Sequence, residues 1–68
     1  MSEKRDVTAR GFGIGDQVKI VAREHPWHGA IGRIIEPFTR AGLDWAVELE
    51  TVNPGQRAGA AEWELRRV

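Results

Sequence analysis

In the stretch Asp44-Trp45-Ala46-Val47-Glu48-Leu49-Glu50, polar or small residues alternate with large apolar ones. Successive side chains of a β-strand point to opposite faces of the sheet, so a period of two predicts a strand with one buried face. We expect Trp45, Val47 and Leu49 to point inward and the three carboxylates to point outward. The clearest pattern in the chain is therefore that of a β-strand.

The apolar stretches on either side of this segment also have the length of strands. Eight Gly and three Pro separate them, and these residue types mark turns and strand ends. Strands are predicted at 17–23 and 30–36, with a short final strand that ends at Val68. Gly32 lies inside the second of these strands and indicates a bend or a close backbone approach.

These features predict an all-β fold, namely a small five-stranded SH3-like barrel over residues 11–68 that protects its sheet edges by near closure. Residues 1–10 carry five charges and little apolar surface, so we expect a flexible N-terminal arm there. The side chains predicted to face inward are Val18, Ile20, Ile34, Trp45, Val47, Leu49, Leu65 and Val68.

With 68 residues, no net charge and no cysteine, the chain has the composition of one small domain. A domain of this size buries only about 60% of its unfolded surface, which leaves little room for a deep pocket unless several chains assemble. The lack of cysteine removes disulfides, thiol catalysis and four-cysteine zinc sites. Because the sequence has no apolar run of membrane-spanning length and no signal-peptide pattern, we expect a cytoplasmic protein without membrane contact.

Two blocks of sequence, Gly15-Asp16-x-Val18-x-Ile20 and His28-Gly29-x-x-Gly32-x-Ile34, resemble the KOW motif. This motif is the strand-loop-strand signature of SH3-like domains in transcription factors and ribosomal proteins. Similar barrels bind RNA, proteins or nothing known, so the resemblance implies a fold more than a ligand.

A longer resemblance runs through Phe12-Gly13-Ile14-Gly15-Asp16-Gln17-Val18, Trp27-His28-Gly29, Ile31, Ala46-Val47-Glu48, Pro54-Gly55 and Leu65. These residues are similar to the frame of the type II dihydrofolate reductases, which are plasmid-borne, trimethoprim-insensitive enzymes. In that family four SH3-like chains share one central pore as the active site. The resemblance implies a homo-oligomer of two or four chains, with NADPH as the cofactor of any activity.

The pore chemistry of that family has no counterpart at the aligned positions. Its pore-lining run falls on Arg57, Ala58, Gly59 and Ala60, which cannot stack on or hydrogen-bond a pterin in the same way. A pore lysine of the family also falls on Ile20. The resemblance therefore implies the scaffold without its active site.

The loop His25-Pro26-Trp27-His28 places two imidazoles and an indole close together. Two histidines without a cysteine or a nearby carboxylate cluster do not complete a zinc site, so no metal is predicted. A tryptophan flanked by Pro and His offers the large amphipathic area of an interface hot spot. We expect His25, Trp27 and His28, with Arg33, to contact a partner or a second copy; the alternative is that Trp27 packs inside its own barrel.

Charged side chains predict two further surfaces. Asp44, Glu48 and Glu50 form an acidic face, which is either a solvated sheet face or a surface for a basic partner. Lys19, Arg23 and Arg33 form a modest basic strip that, with stacking on Trp27, would bind RNA weakly. Residues 11–68 hold seven basic against eight acidic side chains, whereas nucleic-acid binding domains are clearly basic.

For catalysis the sequence offers neither cysteine nor tyrosine, and no Ser-His-Asp arrangement is visible. The first hypothesis is therefore a non-catalytic SH3-like module or small accessory subunit that binds a protein partner without a cofactor. One alternative is a dihydrofolate reductase-like homo-oligomer with weak or altered NADPH-dependent activity. The other is a KOW-type binder of RNA or ribonucleoprotein.

Overall fold

Five strands and one short helix make up residues 11–68, the part of the chain that the computed structural model describes. The strands are β1 (Gln17–Ile20), β2 (Ile31–Pro37), β3 (Trp45–Leu49), β4 (Arg57–Ala60) and β5 (Leu65–Arg67), and a 3-10 helix (Glu62–Glu64) precedes β5. Every pair of neighbours is antiparallel, in the order β4-β3-β2-β1-β5. The predicted all-β fold with five short strands is confirmed, whereas the predicted arm at residues 1–10 lies outside the described residues.

The core consists of the inward-facing side chains of the strands, as the alternation predicts. Val18, Ile20 and Val47 have no exposed surface, and Ile34 and Leu49 have 1% each. Trp45 is half-buried and packs against this cluster, together with Phe12 and Trp27. Small side chains complete the interior at Ala22, Ala30, Ala46, Ala58, Ala60 and Ala61.

The prediction that Val68 faces inward is wrong, since its side chain is 67% exposed. Leu65 pairs with Ile20 on the inner face, and Val68 N–H bonds to the carbonyl oxygen of Gln17, whose side chain points outward. Val68 lies an odd number of residues after Leu65, so the pleat places it on the outer face.

The first strand is shorter than predicted and ends at Ile20 instead of residue 23. The chain turns directly afterwards, with His25 N–H donating to the carbonyl oxygen of Ala22. Val21 N–H nevertheless bonds to the carbonyl oxygen of Glu64, which attaches this segment to the 3-10 helix.

At Gly32 the paired strands β2 and β3 leave no room for a side chain. A Cβ atom at this position would lie 2.6 Å from the carbonyl oxygen of Glu48, 2.7 Å from Cγ1 of Val47 and 3.0 Å from Cα of Leu49. The close backbone approach expected from the sequence is therefore present, and only glycine fits without a shift of the strands.

A β-bulge interrupts the pairing of β2 with β3 between Ile34 and Glu36. An extra residue in one strand increases its bend and twist. Glu36 and Ala46 are opposite each other beyond the bulge. No helix in residues 11–68 is long and apolar enough to cross a membrane.

Candidate functional site

His25 fixes the loop between β1 and β2. Its Nδ1 accepts the main-chain N–H of Trp27 at 3.0 Å, and its Nε2 lies 2.8 Å from the carbonyl oxygen of Gly59 in β4. Because Nδ1 accepts, the hydrogen of the neutral ring resides on Nε2 and is donated to Gly59. His25 thus ties the loop to the outer edge of β4, and it covers a main-chain carbonyl that an edge strand otherwise exposes.

Trp27 lies half-buried against the core, and His28 is exposed at the end of the same loop. The indole of Trp27 thus contacts the core of its own chain, and its contact with a partner stays a prediction. Of the residues predicted for a partner surface, His25 and Trp27 both have contacts within the chain. His28 is directed outward, and Arg33 lies elsewhere, on the outer face of β2.

The most exposed aromatic side chain in the described residues is Trp63, at 68%. Trp63 is not among the residues predicted from the sequence for the core or for a binding surface, although Trp63 and Leu65 have the spacing of a single strand face. The 3-10 helix breaks that alternation, so that Leu65 is buried and Trp63 projects outward. The flanking acids Glu62 and Glu64 were the available signal that this tryptophan is not a core residue.

Hydrogen bonds on both sides fix the helix that carries Trp63. The Glu64 carboxylate, which is buried, accepts the main-chain N–H of Ala61 at 2.9 Å. Asp44 Oδ2 accepts the N–H of Glu62 at 2.9 Å, and the Glu64 carbonyl oxygen accepts the N–H of Val21 at 2.8 Å. Trp63 therefore projects from a rigid support.

The outer face of the sheet mixes the charges that the sequence analysis assigned to separate surfaces. Arg33 Nε lies 3.3 Å from Glu50 Oε2, and its NH1 donates to the carbonyl oxygen of Gly15 at 2.8 Å. Glu48 is directly opposite Arg33 on one side and Arg57 on the other. Asp44 lies before β3, and its carboxylate accepts the main-chain N–H of Glu62 in the 3-10 helix. The role of the acidic face in binding a basic partner stays a prediction.

The Glu50 carboxylate is held in its charged form. The side-chain amide of Gln17 donates to Oε1 at 2.9 Å, and Arg33 contacts the other oxygen. The Gln17 hydrogen bond and the adjacent Arg33 lower the pKa of Glu50 from its ordinary value, although partial loss of solvent acts in the opposite direction. Glu50 and Arg33 therefore neutralise each other on this face.

Lys19 and Arg66 form an exception to this charge balance. They are direct neighbours across β1 and β5, both exposed, and neither forms an ion pair with another residue of 11–68. By contrast, Arg67 pairs with Asp16 at 3.3 Å, and Arg40 lies 5.7 Å from the centre of the Phe38 ring. Like charges directly opposite each other in a sheet are unfavourable, so this pair stands out.

Of the four residues aligned with the reductase pore, Arg57, Ala58 and Gly59 line the same groove on the sheet. Ala58 and Ala60 are buried, and a Cβ atom on Gly59 would lie 2.7 Å from Leu43 and 3.1 Å from Phe38. Arg57 is exposed and lines a groove of about 210 Å³ together with Glu36 and Phe38. Residues 11–68 contain no group of three His, Cys, Asp or Glu residues that could hold a metal ion.

The fold has a counterpart among solved structures. The chain is similar to the NMR structure of Bacillus subtilis protein YorP, with a TM-score of 0.70 and 28% sequence identity. The match covers 100% of this chain and 82% of that chain. No protein-family model matches the chain. No curated protein matches it either.

Proposed function

We propose that this chain is a non-catalytic SH3-like interaction module that binds a protein partner through the surface around Trp63. The observation that carries the proposal is the 68% exposure of Trp63 on a helix fixed by hydrogen bonds. A rigidly held tryptophan contributes a large contact area at low entropic cost, and tryptophan is enriched among interface hot spots.

The SH3-like part of the proposal is supported by the strand order and by the 3-10 helix directly before the last strand. The similarity to the YorP structure supports a shared fold for residues 11–68. Fold alone does not identify a ligand, which is why the proposal depends on the exposed side chain.

The non-catalytic part is supported by the size of the grooves that residues 11–68 form on the sheet. The groove beside Arg57 and the groove beside Arg33 measure about 210 and 220 Å³, smaller than the roughly 300 to 1,000 Å³ typical of small-molecule sites. Ala60 is buried, and Ala58 and Gly59 present no polar or aromatic side chain to the groove that they line. Hydride transfer needs both reacting rings held in place, and these side chains offer no such support.

The test is a selection of binders from a displayed peptide library, followed by affinity measurements with purified variants. We expect Trp63→Ala to weaken the selected peptides at least about tenfold, which equals about 1.4 kcal/mol, without a change in thermal unfolding. Val52→Ala is the matched control, because Val52 is 69% exposed at the distant β3–β4 turn. It should bind as the unsubstituted protein does.

The proposal fails if no peptide is selected above background, or if Trp63→Ala binds the selected peptides as tightly as the unsubstituted protein. NADPH oxidation that depends on dihydrofolate would overturn the non-catalytic role and favour the reductase alternative.

A further inference from the structure

We infer that the outer edge of β5, which pairs with no other strand of residues 11–68, binds an extended acidic segment of a partner protein, which adds to the sheet as a further strand beside Lys19, Arg66 and Trp63. The inference rests on the proposed function and specifies the chemistry of its partner. It uses three features of residues 11–68: the cation pair Lys19 and Arg66, which has no carboxylate partner there, the side of β5 that pairs with no other strand there, and the exposed Trp63.

The main chain of β5 directs hydrogen-bonding groups away from the sheet. Val68 N–H donates to the carbonyl oxygen of Gln17, and the carbonyl oxygen of Glu64 accepts the N–H of Val21, so the main-chain groups of every second residue point toward β1. In an antiparallel pair the main-chain groups of the residues between them, Leu65 and Arg67, point toward the outer edge. Leu65 N–H already donates to the carbonyl oxygen of Glu62. The groups left for a new strand are the Leu65 carbonyl and the N–H and carbonyl of Arg67.

The side chains beside this edge select for negative charge. Arg66 lies on the outer face opposite Lys19, and both lack a carboxylate partner within residues 11–68. A strand added to β5 places one of its outward side chains directly beside Arg66, within reach of Lys19. A carboxylate there relieves the repulsion between the two cations, whereas a lysine increases it.

Trp63 extends the same surface beyond the end of β5. It lies two residues before Leu65 and is 68% exposed, and we place the end of the added strand against its indole. An apolar side chain of the added strand packs there. The expected segment is therefore extended, carries alternate acidic residues and has an apolar residue at one end, as in recognition by β-strand addition.

The test measures fluorescence anisotropy with a labelled peptide in which Glu alternates with Val and Thr. We expect a peptide with Lys in place of every Glu, and a Glu peptide whose main-chain nitrogens are methylated, each to bind at least about tenfold more weakly. The double variant Lys19→Glu with Arg66→Glu should reverse the preference between the Glu and Lys peptides. Arg57→Glu, at the opposite edge of the sheet, is the matched control and should leave both affinities unchanged.

Equal affinity for the Glu and Lys peptides overturns the inference, as does undiminished binding of the methylated peptide. Tighter binding of oligouridylate, competing with the Glu peptide, would assign the cation pair to nucleic acid instead. If a displayed library yields binders of another composition that require Trp63, the proposed function stands and this inference alone fails.

Discussion

Gly32→Ala tests how tightly β2 and β3 are packed against each other. The added methyl group would lie 2.6 Å from the Glu48 carbonyl oxygen and 3.0 Å from Leu49 Cα, both of them main-chain atoms of the paired strand. Hydrogen bonds hold paired strands about 4.7 to 4.9 Å apart, so neither strand moves away without losing those bonds. Overpacking of this kind costs about 1 to 3 kcal/mol, and the main-chain contacts indicate the upper end of that range.

A destabilisation of about 3 kcal/mol lowers Tm by roughly 12 to 24 °C in a domain of this size. Domains at the lower limit of stability have a free energy of unfolding of about 0.05 kcal/mol per residue, so this loss is comparable to the total stability of such a chain. Thermal unfolding followed by circular dichroism measures the shift. Gly13→Ala is the matched control, since its nearest neighbour would be Asp16 Oδ2 at 4.0 Å. A loss of less than about 4 °C for Gly32→Ala would refute the reasoning.

The remaining predictions concern stability and pH. Trp27→Ala should lower the free energy of unfolding by about 2 kcal/mol, measured in urea, because the half-buried indole packs on the core. Val52→Asn should raise Tm by about 4 to 8 °C, since Val52 has φ of 69° and asparagine tolerates that conformation; Val68→Asn, at a similarly exposed valine, should change it little. An NMR titration should give Glu50 a pKa below 4.5, and Gln17→Ala should raise it. The interactions that hold the pKa of Glu50 below its unfolded-state value stabilise the fold at neutral pH. This contribution to folding stability is lost as the pH falls through the folded-state pKa. An unchanged Glu50 titration in Gln17→Ala would contradict the assignment.

The strands were predictable because their alternation reflects burial. Val18, Ile20, Val47 and Leu49 occupy the core as their spacing predicts, and Gly32 has the close approach that a glycine inside a strand indicates. These are local consequences of a period of two, which a sequence displays directly.

The surface around Trp63 was harder to predict from the sequence, because it depends on where the alternation of buried and exposed residues stops. A short helix turns Trp63 outward. Val68 is also exposed, because it lies three residues after the buried Leu65 and so on the opposite face of the strand. The pairing of Lys19 with Arg66 joins residues far apart in the chain and depends on the sheet register. The partner-binding role of the His25 loop, the RNA alternative and the cytoplasmic location stay predictions.

The most direct test of the account is a ¹H–¹⁵N NMR titration of the labelled protein with a peptide selected from the library. The protein has three tryptophans, each with one indole N–H signal. We predict that the signal of Trp63 shifts together with the amide signals of 65–67, while the indole signals of Trp27 and Trp45 stay in place. Shifts centred on Trp27 and His25, with an unmoved Trp63 signal, would contradict the central claim that the Trp63 surface binds the partner.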